Sequence, residues 1–324
     1  MKKVLLAGAS GYVGKYVATE LACNGYAPIC PARLDAPDLR EKLNLEEWAT
    51  PTWDLHNPIS IRAVFENNPG IVAVISCIAS RTGGVKDAWH VDYKANSNLL
   101  KVAQSFPALR FILLSAICVQ KPKLNFQFAK LAFEKELQAS NFDFTIVRPT
   151  TFFKSLSGQV ERVQNGKRFV VFDSGKNTST KPISCEDLAR FLVQRITSVD
   201  SKNKILPIGG PGPAFTQKEM GEMIFEALGT QPKFIHVPSI LFKIFSILLH
   251  PIGILSARVN DIREFMKIAY YYATESMLVL DKNTGMYSAK ATPETGNDTI
   301  KSFYLQVVRE KIKRNDLGDH SFFK

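Results

Sequence analysis

Four apolar residues, Val4-Leu5-Leu6-Ala7, run straight into Gly8-Ala9-Ser10-Gly11-Tyr12-Val13-Gly14, after which helical periodicity continues to about Ala22. No other feature restricts the fold so tightly. A buried strand, a turn with three spaced glycines and a helix start are the opening of a parallel βαβ unit. Glycine permits the tight turn and lets backbone amides approach a phosphate, while the helix N-terminus offers partial positive charge. Gly8, Ser10, Gly11, Tyr12, Val13 and Gly14 are therefore the expected pyrophosphate cradle of a dinucleotide. A turn with only a packing role is the plain alternative.

The rhythm repeats along the first half. Strand-like runs at Val4–Ala7, Ala27–Ala32, Thr52–Leu55, Ile71–Cys77, Phe111–Ser115 and Phe144–Arg148 alternate with helix-like stretches. This predicts an α/β fold with a doubly wound parallel sheet, the Rossmann arrangement. Beyond Arg148 the pattern loosens into strands at Phe169–Phe172 and Ile205–Ile208 and helices at Thr216–Leu228, Ile240–Leu249 and Thr299–Lys313. The expected division is a dinucleotide-binding domain over residues 1–150 and a smaller, interwoven region over 151–324 that completes the sheet and forms the substrate pocket.

Five cysteines (Cys23, Cys30, Cys77, Cys118 and Cys185) include no Cys-x-x-Cys pair, which argues against a disulfide framework, a zinc site or an iron–sulfur cluster. A strand beginning at Val4 leaves no room for a leader peptide, so a cytoplasmic location is expected. The formal charge of +11 favours anionic partners: phosphates, a carboxylated small molecule or a lipid surface. Nucleic acid is not expected, because the basic residues are dispersed and no helix-turn-helix, zinc-finger or RNA-recognition pattern occurs.

Arg33 stands at the end of the second strand, where an acidic residue would hold the free ribose hydroxyl of NAD. A guanidinium there suits the 2′-phosphate of NADP, although Asp35 keeps NAD open. Asp54, after the third strand, is a candidate for the adenine edge or simply a turn residue.

Asn125–Gln138 has helical periodicity, and Phe126, Lys130, Phe133 and Leu137 recur on one face. A cation on an apolar stripe needs a polar partner or a route to water. A large class of nicotinamide-dependent reductases reads Tyr-x-x-x-Lys at this place; here the lysine is kept and Phe126 replaces the tyrosine. Lys130 is thus a candidate to hold the nicotinamide ribose. Ser115, at the end of the fifth strand, is a candidate to orient water or substrate, with a strand-end cap as the alternative.

The Gly-x-x-Gly-x-x-Gly spacing resembles that of extended and atypical short-chain dehydrogenases/reductases. The strings from Ser76 to Trp89, Leu114 to Pro122, Val147 to Leu156, Lys181 to Ser184, Leu206 to Gly212 and Tyr271 to Leu278 resemble the 3,8-divinyl (proto)chlorophyllide 8-vinyl reductases. That resemblance implies an NADPH-dependent enzyme, free of flavin and iron–sulfur clusters, that reduces the 8-vinyl group of a tetrapyrrole to ethyl in (bacterio)chlorophyll biosynthesis. Cys77, Ala79, Ser80, Pro149 and Thr150, at strand ends inside these strings, complete the expected cofactor contacts. The alternatives are an NADP-sensing NmrA-like regulator without catalysis and an atypical reductase of another aromatic alkene.

Reducing a conjugated vinyl group needs hydride at one carbon and a proton at the other. No alkoxide forms, so the lost tyrosine is consistent with alkene reduction. The proton source stays open among water, Ser80, Ser115, Cys118 and another tyrosine. Phe152 and Phe153 follow the sixth strand and can stack on a flat macrocycle or fill core, and Trp89 belongs to the same expected pocket. Arg81, Lys86 and Lys154 are candidates for a propionate carboxylate of the substrate.

Val237–Ser256 carries Leu241, Ile244, Phe245, Leu248, Leu249 and Ile252 as a helical stripe. It is short and broken for a membrane span, which needs about 20 apolar residues. Two readings follow: a core helix of the substrate region, or an apolar lid over 237–256 with possible peripheral association to a membrane.

Overall fold

The computed structural model describes residues 1–33, 50–106 and 109–309. The chain divides into two compact units, Met1–Arg148 with Leu188–Leu206, and Pro149–Asp187 with the chain from Pro207 onward.

In the first unit, β1 (Lys3–Ala7), β2 (Ala27–Ile29), β3 (Ile71–Ser76), β4 (Arg110–Leu114) and β5 (Asp143–Pro149) lie in the order β2-β1-β3-β4-β5, with the strand Lys204–Ile208 beside β5. Neighbours from β2 through β5 pair in parallel. The doubly wound parallel sheet read from the sequence is the fold. Val4, Leu5, Leu6 and Ala7 are all fully buried; a strand covered on both faces reads as a continuous apolar run, not as an alternation. Leu99, Leu100, Phe111, Phe133, Leu137 and Ile146 belong to the core cluster of this unit.

One strand expectation is corrected. Thr52–Leu55 makes a single bridge, Ala32 to Thr52, in place of a third strand. Its apolar content comes from Trp53, which is buried in the core and packs without a ladder.

The helix Asn125–Gln138 begins after Leu124, which has no side-chain acceptor to cap it. Gln127 takes over: its Oε1 accepts the backbone amides of Lys123 (2.7 Å) and Leu124 (3.0 Å). Phe133 and Leu137 then enter the core, as the apolar stripe predicts.

The second unit has its own core, including Phe153, Val160, Phe169, Val171, Ile224 and Tyr304. Phe169–Phe172 pairs in parallel with Phe234–Val237. The helix Gln217–Leu228 starts on a reciprocal cap in which Thr216 N donates to Glu219 Oε2 (2.8 Å) and Glu219 N to Thr216 Oγ1 (3.3 Å). It stops at Gly229, whose φ of +67° is left-handed. Three further helices, Ile240–Leu248, His250–Leu255 and Ala257–Thr274, follow, and Thr299 caps the helix Ile300–Val308; the expected extension to Lys313 lies outside the described residues.

Candidate active site

Parallel sheets present ligands at the C-terminal ends of their strands, where the strand order reverses. Here the chain leaves β1 for β2 on one side and returns to β3 on the other, so the ends of β1 and β3 flank that point. β1 runs into Gly8, whose φ is +86°. A Cβ on Gly8 would lie 2.9 Å from the carbonyl carbon and oxygen of Cys77, and one on Gly14 would lie 2.1 Å from the Gly8 oxygen. The helix Tyr12–Cys23 can close onto the strand end only with glycine at both places. Val13 is buried beneath the turn and Ser10 is exposed.

Gly11 N donates to Gly8 O at 3.0 Å, and Gly11 is the helix cap. No side chain caps that terminus and no acidic residue occupies its first turn. The partial positive charge of the helix end is therefore left to an anion, which fits a dinucleotide pyrophosphate.

After β3 come Cys77, Ile78, Ala79 and Ser80. Burial pushes the Cys77 thiol up to about 12, against the opposing effect of the Lys130 charge. From Ala88 to Ala95 the chain is π-helical, a wide turn that is frequent at functional sites. It carries Asp92 into the interior, 1% exposed. Asp92 Oδ1 accepts Lys130 Nζ at 2.8 Å and Ser80 N at 3.3 Å. One turn on, Asn96 Nδ2 donates to Asp92 O (3.0 Å), and Ser76 Oγ donates to Asn96 Oδ1 (2.5 Å). Asp92 Oδ2 has no hydrogen-bond partner among the described residues, so one further donor would complete the group.

Lys130 thus keeps only a small opening to solvent, its side chain 13% exposed, and stays out of the apolar core. It is tied to a buried carboxylate that sequence reasoning missed. The cation on an apolar stripe signalled that a partner must exist; nothing in the local pattern pointed to a residue 38 positions upstream.

A second network sits at the end of β4. Ser115 Oγ donates to Glu134 Oε1 at 2.5 Å, and Glu134 also receives both Nε (3.1 Å) and a terminal nitrogen of Arg148. Glu134 is 1% exposed. A carboxylate gripped by a guanidinium accepts only, so the Ser115 proton points at Glu134 and the remaining Ser115 lone pairs accept from other groups. Glu134 follows Lys130 by one helical turn, which is the spacing signal that could have found it.

The remaining expected residues are placed as follows. Arg33 is exposed at the end of the described stretch, and Asp35 lies outside the described residues. Asp54 is exposed, and its Oδ1 accepts the amide of His56 at 2.8 Å, the behaviour of a turn aspartate. Ala79, Arg81 and Lys86 are exposed, and Trp89 is 40% exposed, edge-on to Tyr93.

In the second unit, Pro149 is buried, and Thr150 donates its amide to Ile208 O (2.9 Å) and its hydroxyl to Lys181 O. Both Thr150 donors are consumed inside the protein. Phe152 and Lys154 are half-buried. Phe153 is corrected: it is 5% exposed, packs on Phe303 at 5.4 Å and belongs to the core, so its ring has no face left for a macrocycle.

The profile of the NAD(P)H-binding family matches residues 8–198. The chain is 45% identical to the chloroplastic divinyl chlorophyllide a 8-vinyl-reductase of Oryza sativa subsp. indica, over 99% of this chain and 82% of that one. It is 43% identical to the Arabidopsis thaliana protein of the same description, over 98% and 80%. The chain belongs to the divinyl chlorophyllide a 8-vinyl-reductase family.

Among solved structures, the NADPH-dependent quinone oxidoreductase QOR2 of Escherichia coli, complexed with NADPH, superposes with a TM-score of 0.66 at 14% identity, covering 94% of this chain and 99% of that one. That likeness supports the fold alone. For a vinyl-reductase family member the glycine turn is the expected NAD(P)H-binding element, and its steric closure agrees with that. Among the described residues no three acidic, histidine or cysteine side chains gather to hold a metal, and no helix is long and apolar enough to cross a membrane.

Proposed function

We propose that this chain reduces the 8-vinyl group of a divinyl chlorophyllide or divinyl protochlorophyllide to ethyl, with NADPH as reductant. The observation that carries the reading is identity of 43–45% to reductases of that description across nearly the whole chain. The geometry of the first unit is in keeping with it. Phe126 stands one turn before Lys130, so the helix offers no phenol to protonate an alkoxide, and reduction of a carbon–carbon double bond makes none.

Bound NADPH supplies the hydride. The chain's residues hold it and the substrate in contact. The helix end at Gly11–Gly14 takes the pyrophosphate, and Arg33 takes the 2′-phosphate, which favours NADPH over NADH. Lys130 donates to hydroxyls of the nicotinamide ribose. Asp92 largely balances its charge, so Lys130 orients the ribose more than it supplies a field. Ser115, with its proton committed to Glu134, serves as an acceptor and is removed from the list of proton donors. Arg81 and Trp89 of the first unit remain candidate substrate contacts, as do Phe152 and Lys154 of the second. A flat, poorly soluble substrate also fits a peripheral position at a membrane.

The test is purified protein with NADPH and each divinyl substrate, followed by absorption. Loss of one conjugated double bond shifts the spectrum to the blue. No shift with either substrate overturns the proposal.

A further inference from the structure

The helix Ile240–Leu248 turns its apolar residues outward. Ile240 is 46% exposed, Leu241 38%, Ile244 44%, Phe245 51%, Ile247 61% and Leu248 62%, while Ser246 is buried. These are the residues a core helix would hide, so the core reading of this stretch is corrected. The helix is held in place, not loosely tethered: it packs against Ala257–Thr274, and Asp173 Oδ1 accepts the amide of Ser239 at its start (2.9 Å). Ile262 and Phe265 of the partner helix are 44% and 41% exposed. Scattered exposed apolar residues are ordinary; a helix with most of its large side chains exposed marks an interaction surface.

Charge selects the partner. From Ala227 to Asn260 the chain contains Lys233, Lys243 and Arg258 and no aspartate or glutamate; exposed Asp261, beside Ile262, is the first acidic residue after them. Lys233 and Lys243 are exposed. The whole chain carries +11. At nine residues the helix is roughly 14 Å long, far short of a bilayer. An apolar face with basic flanks on a helix too short to span matches a helix lying in the lipid–water interface.

We propose that the exposed face of Ile240–Leu248 docks the protein onto an anionic lipid bilayer. The side chains of Ile244, Phe245 and Leu248 enter the acyl boundary, and Lys233 and Lys243 meet anionic headgroups. The proposal rests on exposure and charge and holds whatever the reaction.

The test is flotation of the full chain with phosphatidylcholine vesicles and with vesicles in which about a third of the lipid is phosphatidylglycerol, without cofactor or pigment. The protein is expected to float with the anionic vesicles and to be released as salt rises. Replacing Ile244, Phe245 and Leu248 by Ser should weaken flotation at least tenfold, with unchanged thermal unfolding and NADPH binding because these side chains are exposed. Lys243→Gln should weaken it about fivefold. Failure of the unaltered protein to float, or equal flotation of the triple variant, overturns the proposal. So does light scattering that finds a dimer which the triple variant abolishes, with no lipid binding by either, because the face then belongs to a second copy. A protein that floats but does not reduce pigment would reject the proposed reaction and leave this inference standing.

Discussion

Lys130 and Asp92 form a buried ion pair, 2.8 Å from Nζ to Oδ1, between a helix of regular pitch and a π-helical turn. The Lys130 side chain is 13% exposed and that of Asp92 is fully covered. Removing one partner leaves an uncompensated charge, which costs about 3–5 kcal/mol, whereas replacing both with apolar groups is often neutral. Asp92→Leu alone should therefore destabilise strongly in urea unfolding. The double variant Lys130→Met/Asp92→Leu should recover most of that stability and still bind NADPH weakly. Full recovery of cofactor affinity in the double variant would show that the pair is purely structural.

Ser115, Glu134 and Arg148 make the second buried network, and its members should not be equivalent. Arg148→Met strands the Glu134 carboxylate and should cost about 3 kcal/mol in denaturant unfolding. Ser115→Ala removes one hydroxyl while Glu134 keeps Arg148, so stability should fall by about 1 kcal/mol. If Ser115 orients the reactants, turnover should fall at least tenfold with a smaller change in KM. A variant as fast as the parent would reject that role.

The glycine turn predicts an order of severity. A Cβ at Gly14 meets the Gly8 oxygen at 2.1 Å, whereas one at Gly11 meets it at 3.1 Å. Gly14→Ala should lose NADPH binding and unfold at lower temperature; Gly11→Ala should keep its fold and lose affinity only. Fluorescence titration beside thermal scans separates the two.

Arg33 bears on cofactor choice. Arg33→Ala should raise KM for NADPH much more than KM for NADH, because only the former loses a charge-assisted contact to a phosphate. Equal changes would remove Arg33 from the 2′-phosphate.

The thiols give a chemical check on burial. Cys23 is exposed, Cys30 is buried and Cys77 is half-buried; desolvation pushes the latter two up to about 12, so both stay as unreactive thiols at pH 8. A disulfide exchange reagent should find one fast thiol in the native protein and the rest only after unfolding. A second fast thiol would contradict the packing at the end of β3.

How much was legible follows from which interactions are local. The glycine turn, the helix around Lys130 and the helix from Thr216 to Leu228 depend on residues a few positions apart, and each was readable. Phe153 and the stretch Ile240–Leu248 were not, because apolar composition is the same for a core helix, a pocket wall and an exposed face. The strand expected at Thr52–Leu55 failed for the same reason: Trp53 supplied the apolar signal without a ladder.

The sequence by itself determined the parallel sheet, the close-packed glycine turn and the need for a partner at Lys130, since buried strands, glycine sterics and an apolar stripe leave marks in local order. Only the tertiary structure decided that Asp92 is that partner, that Glu134 commits the Ser115 proton, and that an apolar helix faces outward. Those outcomes depend on side chains far apart along the chain meeting at one point, and no local spacing encodes that.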